Sequence, residues 1–392
     1  MTRLVAIMAV HLGLNLVGLH GLAALLPFFI AEWSLSAGQA GWLSGIPYLL
    51  SILAILVGIG TDRFDARILV IAGSLANAIG FLGFALFADG FWSGLVFRAI
   101  QGIGFAWIYM PGAKVISDRG GRDGAPGAVG FYISSFPIVA SFSFICVDAL
   151  AALAGWRVAF AVPGATALVS ALVVWILVEP RPVGGGSLAS LDLRPVFANR
   201  QATRLIVANF CHSFELLAVR GWMVTLFAFA ATRESGAPEW NWPLLATVLT
   251  LIGAPMSMIG TWFGSRVGMA RISAVALFLS GAASCLVGVA ADWPFWLFFL
   301  GPVLAQNLFV LLDSGALGGG VIEETRRDVR GRAMAVLAFA NVTGSFAGPV
   351  LFGTVLEAAG GTSSPGAWSV AYGVVGAVAV AGGIVALGAA RR

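Results

Sequence analysis

Three side chains in the middle of one apolar run could do chemistry: His212, Glu215 and Arg220. His212 and Glu215 are three residues apart, so on a helix they are neighbours on one face. A carboxylate withdrawn from water can take up a proton, and a nearby cation opposes this. Glu215 is therefore a candidate proton carrier, with His212 beside it. Arg220 stands about 140° further round a straight helix, so it makes no simple helical pair with Glu215. The two meet only if the helix loosens near Gly221; otherwise each pairs across to another helix, as a structural contact or a working one.

A second set lies in an earlier run. Arg98, Gln101, Phe105 and Tyr109 follow one another at helical spacing and share a face. A guanidinium offers forked donors that suit a carboxylate or other anion. The plain alternative for Arg98 is a fixed ion pair or a carbonyl ligand. Gln306 and Asp313, seven apart, fall on one stripe of a third run. Asp313 is expected to act as a gate carboxylate for a basic residue of the first half, or as a second proton carrier. Asn15 stands four residues from His11, again on one face. The expected substrate contacts are thus Arg98, Gln101, Phe105, Tyr109, Arg220, Asn15 and Gln306, and the expected proton carriers are Glu215, His212 and Asp313.

These residues need elements that place charges inside apolar surroundings. The chain is 59% hydrophobic and only 10% charged, against roughly 25% charged for a soluble surface. Most of the outer surface must face lipid. Thirteen tryptophans suit interfacial aromatic belts. The net charge of +4 comes from basic residues scattered in short loops, so no nucleic-acid partner is expected. Cys146, Cys211 and Cys285 are far apart without metal-ligand spacing, so neither a disulfide framework nor a metal site is expected.

Apolar windows long enough to cross a bilayer lie near 4–31, 37–59, 68–88, 92–116, 127–152, 157–178, 203–231, 243–263, 271–291, 294–317, 333–357 and 367–390. Continuous apolarity, rather than alternation, makes them helices. With the N-terminus inside, eighteen of the 22 Lys and Arg fall in inner segments. Only Arg157 and Arg233 fall outside, while Arg98 and Arg220 lie within spans. That asymmetry predicts two cytoplasmic termini. The polar stretch around Gly184-Gly185-Gly186 reads as a linker, with a short surface helix near 191–198. The expected organisation is a six-helix bundle over 1–180, a cytoplasmic linker over 181–202 and a second bundle over 203–392.

A polar turn at Gly58-Ile-Gly-Thr-Asp62-Arg63-Phe-Asp65-Ala66-Arg67 joins spans 2 and 3, and a diluted copy recurs at Thr261 to Arg271. Span 4 carries Arg98-Ala-Ile-Gln101-Gly102-Ile-Gly104, and span 6 opens on Gly155-Trp156-Arg157-Val-Ala-Phe160. In this order and placement the three motifs resemble the major facilitator superfamily, over nearly the whole chain. Asp65 stands where that pattern has glycine. The resemblance implies an all-α integral membrane protein of 12 transmembrane helices in two pseudo-symmetric six-helix bundles. It implies that spans 1, 4, 7 and 10 line a central cavity. It also gives Asp62, Arg63 and Arg67 a gating role at the inner face, with Asp62 against the start of span 11. Span 5 lacks the G-P pattern of many exporters, and the low-charge build is similar to the anion-permease groups.

The reading is a secondary active transporter working by alternating access, moving a small organic anion with protons across an inner (cytoplasmic) membrane, as a monomer. The rivals are a proton-coupled exporter of amphipathic compounds and a non-transporting receptor or scaffold. The sequence shows no nucleotide loop, metal cluster or nucleophile triad, so neither an enzyme nor a cofactor is expected.

Overall fold

The computed structural model describes residues 2–58, 65–119, 121–181, 192–233 and 240–390. Its elements are helical: α1 (Thr2–Leu16), α2 (Gly21–Ala24), α3 (Leu26–Glu32), α4 (Ala37–Gly58), α5 (Ala66–Phe87), α6 (Phe91–Arg119), α7 (Gly121–Leu177), α8 (Arg194–Ala198), α9 (Arg200–Thr232), α10 (Trp242–Val267), α11 (Met269–Ala290), α12 (Phe295–Phe298), α13 (Leu304–Phe309), α14 (Ser314–Glu324), α15 (Arg330–Ala358) and α16 (Pro365–Ala389). Among the described residues, nine helices are long and apolar enough to cross a membrane. One of them, Gly127–Leu177, has 51 residues and would reach about 77 Å if straight, more than twice a hydrocarbon core. It turns at Gly155, whose φ of 82° is open to glycine at little cost. Just beyond, Arg157 donates to the Ala85 carbonyl at 2.8 Å and reaches the Ala88 carbonyl at 3.5 Å. A cation thus closes the carboxyl end of α5. The Gly-Trp-Arg motif is one turn and one helix cap.

Two expected spans are not continuous helices. The first is broken at residues 17–20 and again near Leu25, giving α1, α2 and α3. Gly18 lies on Phe81 and Pro163 with no room for a Cβ, and Gly21 packs closely on Val147. The tenth is broken twice. A π-turn at Phe299–Val303 contains Pro302, which has no N–H to give and crowds the carbonyl of the preceding turn. The helix then stops again at 310–313, where Leu312 and Ser314 bond back three residues rather than four. Gln306 and Asp313 are therefore not joined by one continuous helix.

The chain divides into two compact units. The first comprises Met1–Leu25 and Ile46–Ala189, where α5 packs on α6 and on α7, and α1 on α7. Its core gathers Met8, Leu12, Val70, Ile108, Tyr132 and Val174. Gly102 of α6 lies on the Pro47 backbone of α4, and Ser51 donates to the Gly102 carbonyl at 2.8 Å. The second unit comprises Leu26–Gly45 and Ser190–Arg392. There α9 packs on α15 and α16, and α11 on α16. Gly344 and Gly348 of α15 rest on the Phe210 and Phe214 carbonyls of α9, the close approach that small residues give membrane helices. The short helix α8 falls within the expected surface stretch, its Val196 fully buried.

Candidate functional site

In the first unit a cavity of about 30 Å3 is lined by Tyr48, Phe81, Arg98, Gln101 and Phe105, with Asn15 and Asn77, and has room for about two waters. Arg98 and Gln101 are one turn apart on α6, and the guanidinium donates to Gln101 Oε1 at 2.6 Å. That leaves Gln101 Nε2 without a hydrogen-bond partner, although the side chain is buried. Phe105 continues the face and meets Tyr48 edge-on, ring centres 6.3 Å apart. Tyr109 does not line this cavity; it packs on Phe136 at 4.7 Å and on Tyr132 at 6.1 Å.

Beside the cavity lies a polar node tying α1 to α5 and α7. His11 Nδ1 is 2.8 Å from Ser170 Oγ. Asn15 donates to Ser170 Oγ at 2.8 Å, to Ser74 Oγ at 3.2 Å and to the His11 carbonyl at 3.0 Å. Asn77 donates in turn to the Asn15 carbonyl at 3.0 Å and to its Oδ1 at 3.3 Å. Asn15 thus borders the cavity with its amide hydrogens directed at protein acceptors. His11 Nε2 is the buried ring atom of this node that lacks a hydrogen-bond partner.

The second unit holds the titratable residues. Glu215 on α9 is fully buried and accepts hydrogen bonds from Ser280 Oγ and Ser284 Oγ of α11, each at 2.8 Å. Among the described residues no Lys or Arg stands within ion-pair distance of it. One turn earlier, His212 Nδ1 lies 2.8 Å from Asp313 Oδ1, close enough for an ion pair but out of hydrogen-bond alignment. Asp313 is the last residue of the break at 310–313. Among the described residues its ion-pair partner is thus His212, of the same unit.

Arg220 is also buried on α9, and it does not meet Glu215. It donates from Nη1 to the neutral amide Asn307 Oδ1, with Met223 Sδ at 3.9 Å. Tyr372 of α16 stands near it, and Nη2 has no hydrogen-bond partner. Among the described residues no carboxylate is within ion-pair distance of Arg220. Gln306, next to Asn307 on α13, is buried with neither amide atom bonded.

Of the expected gating residues, Asp62 and Arg63 lie outside the described residues. Arg67 donates to the Trp175 carbonyl. Asp65, where the motif departs from its usual glycine, caps α5 by accepting from the Arg67 amide at 3.0 Å. It also accepts from Arg119 Nη2 at 2.8 Å and from the Arg181 amide at 2.8 Å. Burial pushes its carboxyl up, but Arg119 and the two amides outweigh this and hold it below the usual carboxylate range. Sequence reasoning missed Asp65, Ser280, Ser284 and Asn307. Asp65 carried a signal, an acidic residue just before an apolar helix. The serines had only their four-residue spacing.

The sequence matches the family model of the Major Facilitator Superfamily over residues 6–322. A relative, the inner membrane transport protein YnfM of Escherichia coli, is 26% identical over 253 residues. The match takes in 64% of this chain and 58% of that relative's length. Among solved structures, the chain is similar to a bacterial homolog of the human lysosomal transporter Spinster, with a TM-score of 0.74 and 17% identity over 99% of this chain and 95% of that one. It is similar to the nucleoside transporter NupG, with a TM-score of 0.74 and 13% identity over 99% of each chain. It is also similar to the human organic anion transporter MFSD10, with a TM-score of 0.67 and 16% identity over 98% of this chain and 99% of that one. At such identities the structural likeness is one of fold.

Proposed function

This chain belongs to the Major Facilitator Superfamily, and on that premise we propose that it is a secondary active transporter coupling a small organic anion to protons by alternating access. It is a multi-pass membrane protein of a transporter family, and the finer reading rests on one observation. Helix α9 buries two opposite charges, Glu215 and Arg220, that answer neutral groups rather than each other. A charge at membrane depth is expensive unless a partner or a working cycle requires it. A guanidinium held by one amide, with Nη2 unbonded, suits an anion that completes its fork. Arg98 with Gln101 supplies a second set of donors in the first unit. The structural neighbours carry different cargoes, so the substrate class is argued from these side chains.

Glu215 is the proton carrier in this reading, with the His212–Asp313 pair as its neighbour. Residues 1–180 and 203–392 form the two bundles that exchange access, joined by the linker at 181–202. The protein resides in an inner membrane with both termini cytoplasmic, which the distribution of Lys and Arg supports.

The test uses purified protein in liposomes. Glu215→Gln fixes the neutral form of the side chain. Accumulation driven by a pH gradient should be abolished, while exchange down a substrate gradient continues, since exchange needs no net proton transfer. Unchanged pH-driven accumulation would remove Glu215 from the coupling step.

A further inference from the structure

Glu215 is clasped by two hydroxyls from one helix face, and the two are not equivalent. Ser280 and Ser284 are four residues apart on α11, both buried, and project side by side. A serine hydroxyl has one hydrogen to give and two lone pairs to receive. Ser284 gives its hydrogen to Glu215 Oε1 at 2.8 Å. Ser280 gives its own to Oε2 at 2.8 Å, but it also has the Leu277 carbonyl within reach at 3.4 Å. Mid-helix serines commonly donate to a carbonyl of the preceding turn, as Ser273 does to Met269 at 2.9 Å. Ser280 stands between that habit and the carboxylate.

We propose that Ser280 is a proton-responsive switch for Glu215 and Ser284 its fixed donor. While Glu215 is ionised, both hydroxyls donate to it. When Oε2 takes a proton, that proton is donated to Ser280 Oγ, and the Ser280 hydroxyl turns to the Leu277 carbonyl. Ser284 goes on donating to Oε1. Both protonation states are then hydrogen-bonded through the rotation of one O–H, with no movement of either helix. Such a device suits a group that must gain and lose a proton in every cycle, because neither state strands a buried polar atom.

The surroundings are consistent with this assignment. The titratable groups facing Glu215 are Cys211 and His212 from α9, Cys285 from α11 and Asp313 from the turn before α14. Helices α15 and α16 also pack on α9, and their buried residues are apolar or small apart from Ser345 and Tyr372. The hydroxyl pair is therefore the direct hydrogen-bonding contact of the carboxylate, while the other titratable groups act on it through space.

The inference rests on Glu215 being the proton carrier, so the experiment reads the proton and the transport separately. The infrared carbonyl band of protonated Glu215, assigned by its loss in Glu215→Gln, is followed against pH in the full-length protein in liposomes. Ser284→Ala removes a donor that favours the ionised form, so the midpoint should rise by about one to two pH units. Ser280→Ala removes a partner of both forms, so its midpoint should move clearly less. Ser280→Thr and Ser284→Thr keep the hydroxyls and should titrate as the unmodified protein does, including where an alanine variant folds poorly. Equal shifts in the two alanine variants would make both serines fixed donors and overturn the switch. No shift in either, or no band that depends on Glu215, would overturn it outright. A band that titrates as expected while transport ignores pH would leave the switch standing and reject proton coupling.

Discussion

The two units bury polar side chains in contrasting ways. In the first, Arg98 bonds to the amide of Gln101, whereas His11, Asn15, Ser74, Asn77 and Ser170 are neutral or can be and bond chiefly to one another. In the second, Glu215, Arg220 and Asp313 carry formal charges, and their partners are hydroxyls, an amide and a histidine out of alignment. Both Asp313 oxygens and Arg220 Nη2 lack a hydrogen-bond partner among the described residues. A network of uncharged side chains that bond chiefly to one another specifies which helices meet and in what register. A set of charges left short of partners is poor as mortar, because each carries a desolvation penalty that its neighbours do not repay. The first arrangement holds α1 to α5 and α7; the second is suited to groups whose partners change.

That contrast can be broken most directly at Arg220. If its unfinished hydrogen bonding serves an anion, Arg220→Ala should weaken substrate binding about 10- to 100-fold, the range expected for losing a charge-assisted contact. Folding should suffer less than a buried-charge deletion usually implies, since no carboxylate is orphaned. Substrate titration by fluorescence or calorimetry, alongside detergent melting, separates the two. A variant that binds normally but melts early would place Arg220 among the structural residues.

Asn15 sharpens the contrast from the other side. Asn15→Ala removes the amide donor to Ser74 and Ser170 and the side-chain acceptor of Asn77, which keeps the Asn15 carbonyl; in a buried site this should destabilise the first unit by about 1–3 kcal/mol. Substrate affinity should stay within about twofold, because the lost hydrogens pointed at protein acceptors. Chemical unfolding in detergent checks the first expectation and binding the second. Weakened binding at unchanged stability would show that bordering the cavity matters more than the hydrogen-bond census.

Much of this architecture was legible in the residues because lipid leaves a blunt signal. Each apolar run corresponds to a helix or a broken helix, and Gly155-Trp156-Arg157 marked a turn. The breaks in the first and tenth spans were not legible, since hydropathy averages over the window in which Pro302 and residues 310–313 act. That blind spot hid the setting of Asp313, which belongs to the break at 310–313 and stands 2.8 Å from His212. The geometry on α9 was readable, as five residues separate Glu215 from Arg220 and a straight helix keeps them apart. Their partners were not, because Ser280, Ser284 and Asn307 sit on other helices, and one sequence says little about which faces meet.

The smallest expected effect lies at the membrane surface, at a charge whose partners are complete. Asp65 receives the Arg67 and Arg181 amides and the Arg119 guanidinium, so it should behave as mortar although it is charged. Asp65→Asn keeps the shape and a capping oxygen but gives up the ion pair with Arg119, whose side chain is only 13% exposed. A loss of about 1 kcal/mol is expected at neutral pH. Its pH dependence has a definite sign. The carboxyl is held below its unfolded range, so its contribution is complete above about pH 4 and disappears as pH falls through the lower folded value. Unfolding curves of the two proteins should therefore be separated at pH 7 and converge in acid. A gap that persists in acid would mean that the carboxylate's charge is not what stabilises this corner. Transport by Asp65→Asn that loses its pH dependence would move Asp65 from the mortar to the machinery, and the contrast between satisfied and unsatisfied groups would then fail at its outermost charge.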